Sequence, residues 1–408
     1  MSGFSVRDRA LITGVAAISP NGSDTKGFWE ATCGGESGIG PITRFDAGSF
    51  PVGLAGEVTD VDLTGLIEGR LAVQTDRWSQ FGLIAASRAL RDAGVVPQEQ
   101  PGYSMAVITA SSSGGNEFGQ REIEKLWSKG PKHVGPYQSI AWFYAATTGQ
   151  ISINEGMKGP CGVVVAEQAG GLDVFAHARR ALRAGDASVV LTGGVEAPIG
   201  PYALACQLSS GLLSRSTDPL RAYRPFDEEA DGYVPGEGGA MFIVENESSA
   251  RARGVEQPYG EIAGYAAAFD ARPSSGGQPG LYRAIGLALD DAGINPQDID
   301  VVFADGRGLP LYDQQEADAI SRVFGARRVP VTAPKCLYGR LYAGGPPLDV
   351  AAALLSIRDG VIPPTPATTD PAYFIDLVTT ARQAHVRTCL VLARGYGGFN
   401  AALVVRAA

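Results

Sequence analysis

Gly159–Gly185 reads GPCGVVVAEQAGGLDVFAHARRALRAG. An apolar strand runs into Glu167-Gln168-Ala169-Gly170-Gly171, and a helix follows with Leu172, Phe175, Ala176 and Leu182 on its buried face. A side chain at such a turn sits at a helix N-terminus, among backbone N–H groups without intrahelical partners and at the positive end of the dipole. That is where a nucleophile is activated. The residue there is Gln168, whose amide cannot ionise but can donate and accept hydrogen bonds. The residues alone leave two readings open, a modified catalytic turn or an ordinary buried strand and helix. Cys161 precedes Gln168 in the segment, and a free cysteine is ordinarily a small buried hydrophobe. His177 shares a helical turn with Asp173, which suits a surface or capping role.

Short β-rich runs must carry such a turn, and they recur along the chain: Ala10–Ile18, Met105–Ala110, Gly162–Ala166, Ser188–Gly193, Ala240–Val244, Asp300–Phe303, Thr388–Ala393 and Ala401–Arg406. Helical periods lie between them, as in Gln80–Ala93 and Leu172–Ala184. The alternation predicts an α/β layered fold with a largely parallel core. Ala89–Gln98 reads ALRDAGVVPQ and Ala288–Gln297 reads ALDDAGINPQ. Each ends a helix in Gly, turns through Pro and enters an apolar strand, so two similar halves are expected, 1–255 and 256–408, packed as one body. The loosest stretch is Asp270–Pro279, with its Pro, Ser and Gly cluster. The acidic runs Asp227–Glu229 and Asp290-Asp291 read as solvated turns.

Composition removes several function classes. The 408 residues are 45% hydrophobic and 19% charged with net charge −9, which describes a globular chain without the basic stripe of a nucleic-acid binder. Apolar runs such as Val163–Ala166 are too short to span a bilayer. The start reads as strand and turn rather than a signal peptide. Five scattered cysteines without a CxxC and three isolated histidines, His133, His177 and His385, point to a reduced cytoplasmic protein with no metal and no cofactor.

The run Ala166-Glu-Gln-Ala-Gly-Gly-Leu-Asp173 resembles the active-site region of β-ketoacyl synthases, Cys-x-x-Gly-Leu-Asp, with Gln168 where the Cys belongs. Gly193–Ala197 is similar to the family's Gly-Gly-x-Glu-Ala, and Pro225–Gly239 to its long central signature. Ala10–Gly22 is similar to its first strand and turn, and Gly395–Asn400 to its Gly-rich C-terminal loop. Several long motifs in order make a specific match. The resemblance implies a thiolase fold, a duplicated five-layer α-β-α-β-α structure. Within the family the chain most resembles chain length factors, the ketosynthase beta subunits of type II polyketide synthases. These pair with a ketosynthase alpha subunit and meet an acyl carrier protein bearing malonyl or polyketide chains.

The departures from the synthase pattern carry the functional reading. Phe303-Ala-Asp-Gly-Arg-Gly308 puts Asp305 where condensing enzymes have a histidine, and Lys335-Cys-Leu-Tyr-Gly-Arg340 keeps the Lys but puts Arg340 at the second. Glu316 also survives downstream. An ionised Asp305 would repel a developing enolate that a neutral histidine would stabilise. Asp305 and Arg340 are expected to pair, since either alone in a buried site would be costly. The resemblance therefore implies a non-condensing chain length factor; the alternative is a malonyl carrier protein decarboxylase using Gln168, and a thiolase-like acyltransferase working through another Cys is a third reading. In Ser111–Trp127 helical periodicity alone gives an ordinary packed helix with Phe118, Ile123, Leu126 and Trp127 apolar. The resemblance instead carries tunnel-closing positions to Asn116, Gly119 and Ile123, with Tyr202 near the tunnel end. Their small size implies a receded wall and a long polyketide.

Overall fold

The computed structural model describes residues 8–61, 63–271 and 278–408, so most of the loose stretch Asp270–Pro279 lies outside the described residues. All eight expected β-runs are strands: Ala10–Ile18, Met105–Ala110, Cys161–Val164, Val189–Glu196, Gly238–Asn246, Val301–Phe303, Thr388–Arg394 and Phe399–Arg406. Gly260–Phe269, Pro330–Thr332 and Asp376–Leu377 join them in one eleven-stranded sheet.

Strand order displays the duplication. The first set runs Ala10–Ile18, Gly238–Asn246, Val189–Glu196, Met105–Ala110, Cys161–Val164. The second repeats it as Gly260–Phe269, Phe399–Arg406, Thr388–Arg394, Val301–Phe303, Pro330–Thr332, with Asp376–Leu377 added at the edge. In each set the first three strands are antiparallel neighbours and the later pairings are parallel. The sets meet where Leu11 and Ile12 pair with Glu261 and Gly260.

Helices Gly170–Ala184 and Gly345–Asp359 form the central layer and touch strands of both sets. Gly345–Ser356 is buried on every side, as a helix between the two sets of strands must be. Helix Arg77–Asp92 covers the outer face of the first set, and Gly280–Ala292 with Pro310–Phe324 covers that of the second. This is the five-layer thiolase fold. Among the described residues no helix is long and apolar enough to cross a membrane.

The sequence repeat has a physical cause in the packing of helix on strand. Gly94 and Gly293 close their helices in the left-handed conformation, φ 63° and 66°. Upstream of each, the helix lies directly on a strand glycine: a Cβ on Gly14 would come within 2.8 Å of the Ala93 Cβ, and one on Gly264 within 2.7 Å of the Ala292 Cβ. The repeated aspartates then accept from the strand beside that glycine, Val15 N–H to Asp92 Oδ2 at 2.8 Å and Tyr265 N–H to Asp291 Oδ2 at 2.9 Å. A register shift sits beside each of the two glycines. Asp290 and Asp291 are exposed but lie in the last turn of helix Gly280–Ala292, where Asp291 pairs with Arg179, so the reading of the pair as a turn is corrected. Asp227, by contrast, is buried, accepting from Glu229 and Thr369 N–H groups, so the solvated reading is corrected there.

Gly14→Ala and Gly264→Ala should each lower stability by about 1–3 kcal/mol, because an overpacked helix–strand contact has to open. Gly286→Ala, in a helix interior with nothing within 4 Å of the new Cβ, should be neutral or stabilising by up to about 1 kcal/mol. Chemical denaturation of the three variants compares them.

Candidate functional site

Strand Cys161–Val164 leads to a sharp turn at which Glu167 takes a left-handed backbone, φ 50°, rare for a residue with a side chain and costing on the order of 1 kcal/mol. Glu167 is held there by the loop after Thr388–Arg394, its carboxylate accepting the Tyr396 N–H at 2.8 Å. The turn delivers Gln168, fully buried, to the N-terminal end of helix Gly170–Ala184. Gly171 permits the approach of the second central helix, since a Cβ there would meet the Ala343 carbonyl oxygen at 2.6 Å.

The structure brings Gln168, Asp305 and Arg340 together. Gln168 Nε2 donates to Asp305 Oδ1 at 2.9 Å, and Arg340 Nη2 donates to both carboxylate oxygens at 3.0 and 3.1 Å. The Arg394 N–H donates to Asp305 Oδ1 at 2.9 Å, and Arg307 stands 4.0 Å from Oδ2. Arg340 and Arg307 each donate a further bond to the Arg394 carbonyl oxygen at 2.7 Å. Burial alone would push the Asp305 carboxyl up. The guanidinium groups of Arg340 and Arg307, with the Lys335 ammonium, outweigh it and hold the group down at about 2. Asp305 is therefore an anion at neutral pH, and the expected pairing with Arg340 is observed.

Lys335 belongs to an adjacent set. Its ammonium lies 2.7 Å from Asp349 Oδ2 and donates to the Ala304 carbonyl oxygen at 2.5 Å, while Tyr338 O–H donates to Asp349 Oδ1 at 2.9 Å. Glu316 accepts the Asp305 and Gly306 N–H groups at 2.7 and 2.8 Å and so fixes the backbone that carries Asp305. Burial, then the nearby Asp305 charge, pushes its carboxyl up.

This arrangement supplies no nucleophile. The Gln168 amide nitrogen is no nucleophile and donates to Asp305, and its Oε1 is buried without a partner. Cys161 is exposed at the start of its strand, and partial burial of the thiol pushes it up, away from the reactive thiolate. The three histidines are exposed. Among the described residues no group of three or more His, Cys, Asp or Glu side chains could hold a metal.

A cavity of about 410 Å³ opens beside the turn, lined among others by Ser112, Ser113, Asn116, Glu167, Tyr202 and Tyr342. A second, of about 310 Å³, shares Glu167 and Tyr342 and reaches Arg307 and Arg340. Asn116 and Tyr202 thus line the first cavity; Gly119 and Ile123 do not. Helix Asn116–Lys129 departs from the packed-helix reading: Phe118 is buried, but Ile123, Leu126 and Trp127 are exposed, Trp127 by 84%. Trp142, Phe143, Tyr144 and Val165 are exposed too. The expectation of a wall receding at Gly119 is corrected, because Trp142 fills that space; a Cβ on Gly119 would meet its Cδ1 at 2.8 Å.

Buried carboxylates hold the start of this helix. Asp76 accepts from Trp78 N–H at 3.0 Å and Phe118 N–H at 2.7 Å, capping one helix and anchoring another. Glu196 accepts from the Ser112 and Ser113 backbone. Burial pushes the first up to about 6 and the second to about 8. Sequence reasoning missed Arg307, Arg394, Asp349 and Asp76. Asp349, a lone charge inside the apolar run Leu348–Leu355, was the one with a readable signal.

Family models for the beta-ketoacyl synthase N-terminal and C-terminal domains match residues 7–250 and 259–369. The chain belongs to the beta-ketoacyl synthase family. Among the synthases it groups with ketosynthase beta subunits of type II systems: it is 55% identical to the tetracenomycin polyketide synthase ketoacyl synthase beta subunit of Streptomyces glaucescens, over 97% of this chain and 98% of that one. The ishigamide ketosynthase/chain length factor superposes with a TM-score of 0.91 at 28% identity, covering 99% of this chain and all of that one. A type II acyl-carrier protein in complex with its ketosynthase bound to the hexaketide gives 0.87 at 26%, again over 99% and 100%.

Arg340→Met should destabilise this synthase homologue by about 3–5 kcal/mol by stranding Asp305, and Asp305→Leu/Arg340→Met should recover most of that loss in chemical denaturation. A carboxyl whose folded pKa is depressed stabilises above its unfolded value, near 3.8, and loses that contribution as pH falls toward 2. The double variant should therefore lose less stability than wild type between about pH 4 and pH 2.

Proposed function

We propose that this chain is the non-condensing partner, the chain length factor, in a type II polyketide synthase that makes aromatic polyketides. The single observation that carries the reading is Gln168 at the nucleophile's turn, bonded into a buried Asp305–Arg340 ion pair where a condensing enzyme needs a thiolate and two histidines. The exposed apolar face of helix Asn116–Lys129 supports a protein partner. So does strand Cys161–Val164, which among the described residues pairs on one side only, with Met105–Ala110. That partner is a ketosynthase alpha subunit, with malonyl and growing chains delivered by an acyl carrier protein. Asn116 and Tyr202, at the cavity, would face the growing polyketide. The reading belongs to a reducing cytoplasm, where five free cysteines persist as thiols.

The decarboxylase alternative has less support. Stabilising an enolate requires donors free of competing negative charge, and Gln168 Nε2 already donates to an anion that would itself repel the enolate.

Incubated alone with malonyl carrier protein, the chain should acquire no covalent acyl group by intact-mass analysis and should make no acetyl carrier protein. It should bind a ketosynthase alpha subunit stably on co-expression. An acyl adduct on Cys161 or any other residue, or full condensing activity from the chain alone, would defeat the reading.

A further inference from the structure

Helix Asn116–Lys129 carries a cavity-lining residue, Asn116, and one turn further along the same face a glycine, Gly119. The space a side chain at 119 would occupy belongs to Trp142. Built on Gly119, a Cβ would stand 2.8 Å from the indole Cδ1, 3.5 Å from Nε1 and 3.7 Å from Cγ. The indole does not reach this place by chance. The turn before the helix is threaded against the backbone of Trp142: the Gly115 N–H donates to the Trp142 carbonyl oxygen at 3.2 Å, and a Cβ on Gly114 would meet that same oxygen at 2.8 Å. Gly114 itself has a left-handed backbone, φ 65°.

Aromatic neighbours continue the wall toward the cavity. Trp142 and Tyr144 have ring centroids 6.4 Å apart at 41°. Tyr144 in turn packs at Gly114, where a Cβ would stand 3.4 Å from its Cδ1, and the adjacent Ser113 lines the cavity. Trp142 is buried on its Gly119 side and 46% exposed overall, so the indole is backed by the helix and presents its other side outward.

We propose that Trp142, seated on Gly119 and continued by Tyr144, is the side chain that ends the space available to the polyketide and so determines product length. Gly119 is small in order to seat the indole, and a larger residue there acts by displacing it. The inference rests on the chain length factor reading of the preceding subsection. It departs from that reading's helix-only placement by moving the limiting group to the segment Gln138–Tyr144.

The test reconstitutes the chain with a ketosynthase alpha subunit, malonyl carrier protein and mass-spectrometric identification of the products. Trp142→Ala should lengthen the principal product by at least one ketide unit, and Trp142→Phe should lengthen a smaller share of it. Gly119→Ala should shorten or redistribute the products, and Gly119→Ala/Trp142→Phe should return toward the wild-type length. A departure of the double variant from the sum of the two single shifts marks direct contact. A Trp142→Ala pair that associates, turns over and keeps the wild-type chain length would overturn the proposal. If Trp142→Ala fails to associate, wild-type product length from Gly119→Ala would overturn it as well. A wild-type chain that neither binds a ketosynthase nor supports product would instead count against the chain length factor reading itself.

Discussion

A carboxylate and a guanidinium stripped of water face each other at 3.0 Å between Asp305 and Arg340, and the cost of leaving either one alone disciplines everything around them. Oxygens of Asp305 take bonds from Gln168, Arg340 and the Arg394 backbone, and Arg340 reaches on to the Arg394 carbonyl oxygen. One small polar group therefore ties together the turn before the first central helix, the loop after Val301–Phe303 and the end of strand Thr388–Arg394. Gln168 fits because an amide gives this anion a neutral donor. A thiolate in that position would bring a second negative charge to a carboxylate already held by its cations.

The fold explains why such an exchange is tolerated. Three side chains change chemistry, but the platform on which they sit is set elsewhere: by the left-handed Glu167, by the close approach at Gly171, and by Glu316 holding the Asp305 and Gly306 N–H groups. Lys335 also keeps a closed set of partners of its own in Asp349 and Ala304. The site is thus densely hydrogen-bonded without presenting a thiolate or a histidine. Open space lies outward, in the cavities beside Glu167 and Tyr342, and helix Asn116–Lys129 exposes an apolar face.

Much of this was legible in the residues, and the failures have physical reasons. Alternating apolar runs located eight strands because those strands are β-branched or continuously apolar. Gly260–Phe269 escaped because GEIAGYAAAF is rich in Ala and Gly, chosen for the close seating of a helix at Gly264 and not for strand propensity. The DAG repeat was visible as a spacing, while its cause, a helix seated on a strand glycine with its aspartate serving the next strand N–H, needed three dimensions. The pairing of Asp305 with Arg340 followed from the cost of buried charge. The participation of Arg307 and Arg394 did not, since arginines at the ends of strands ordinarily reach solvent. Helix Asn116–Lys129 misled in the opposite way: its apolar stripe reads as core by periodicity, and periodicity cannot say whether the covering surface lies on the same chain. Gly119 misled because a missing side chain looks like empty space until the neighbour that fills it, Trp142, is seen.

The central claim is that all covalent chemistry in the assembled synthase belongs to the partner and none to this chain. The most direct measurement uses the reconstituted pair with this chain intact and the nucleophilic cysteine of the ketosynthase alpha subunit replaced by alanine, read by intact-mass analysis of both subunits and by product detection. The account predicts that acylation and polyketide vanish together. Acyl transfer onto this chain, or polyketide formed without the partner's thiol, would contradict it.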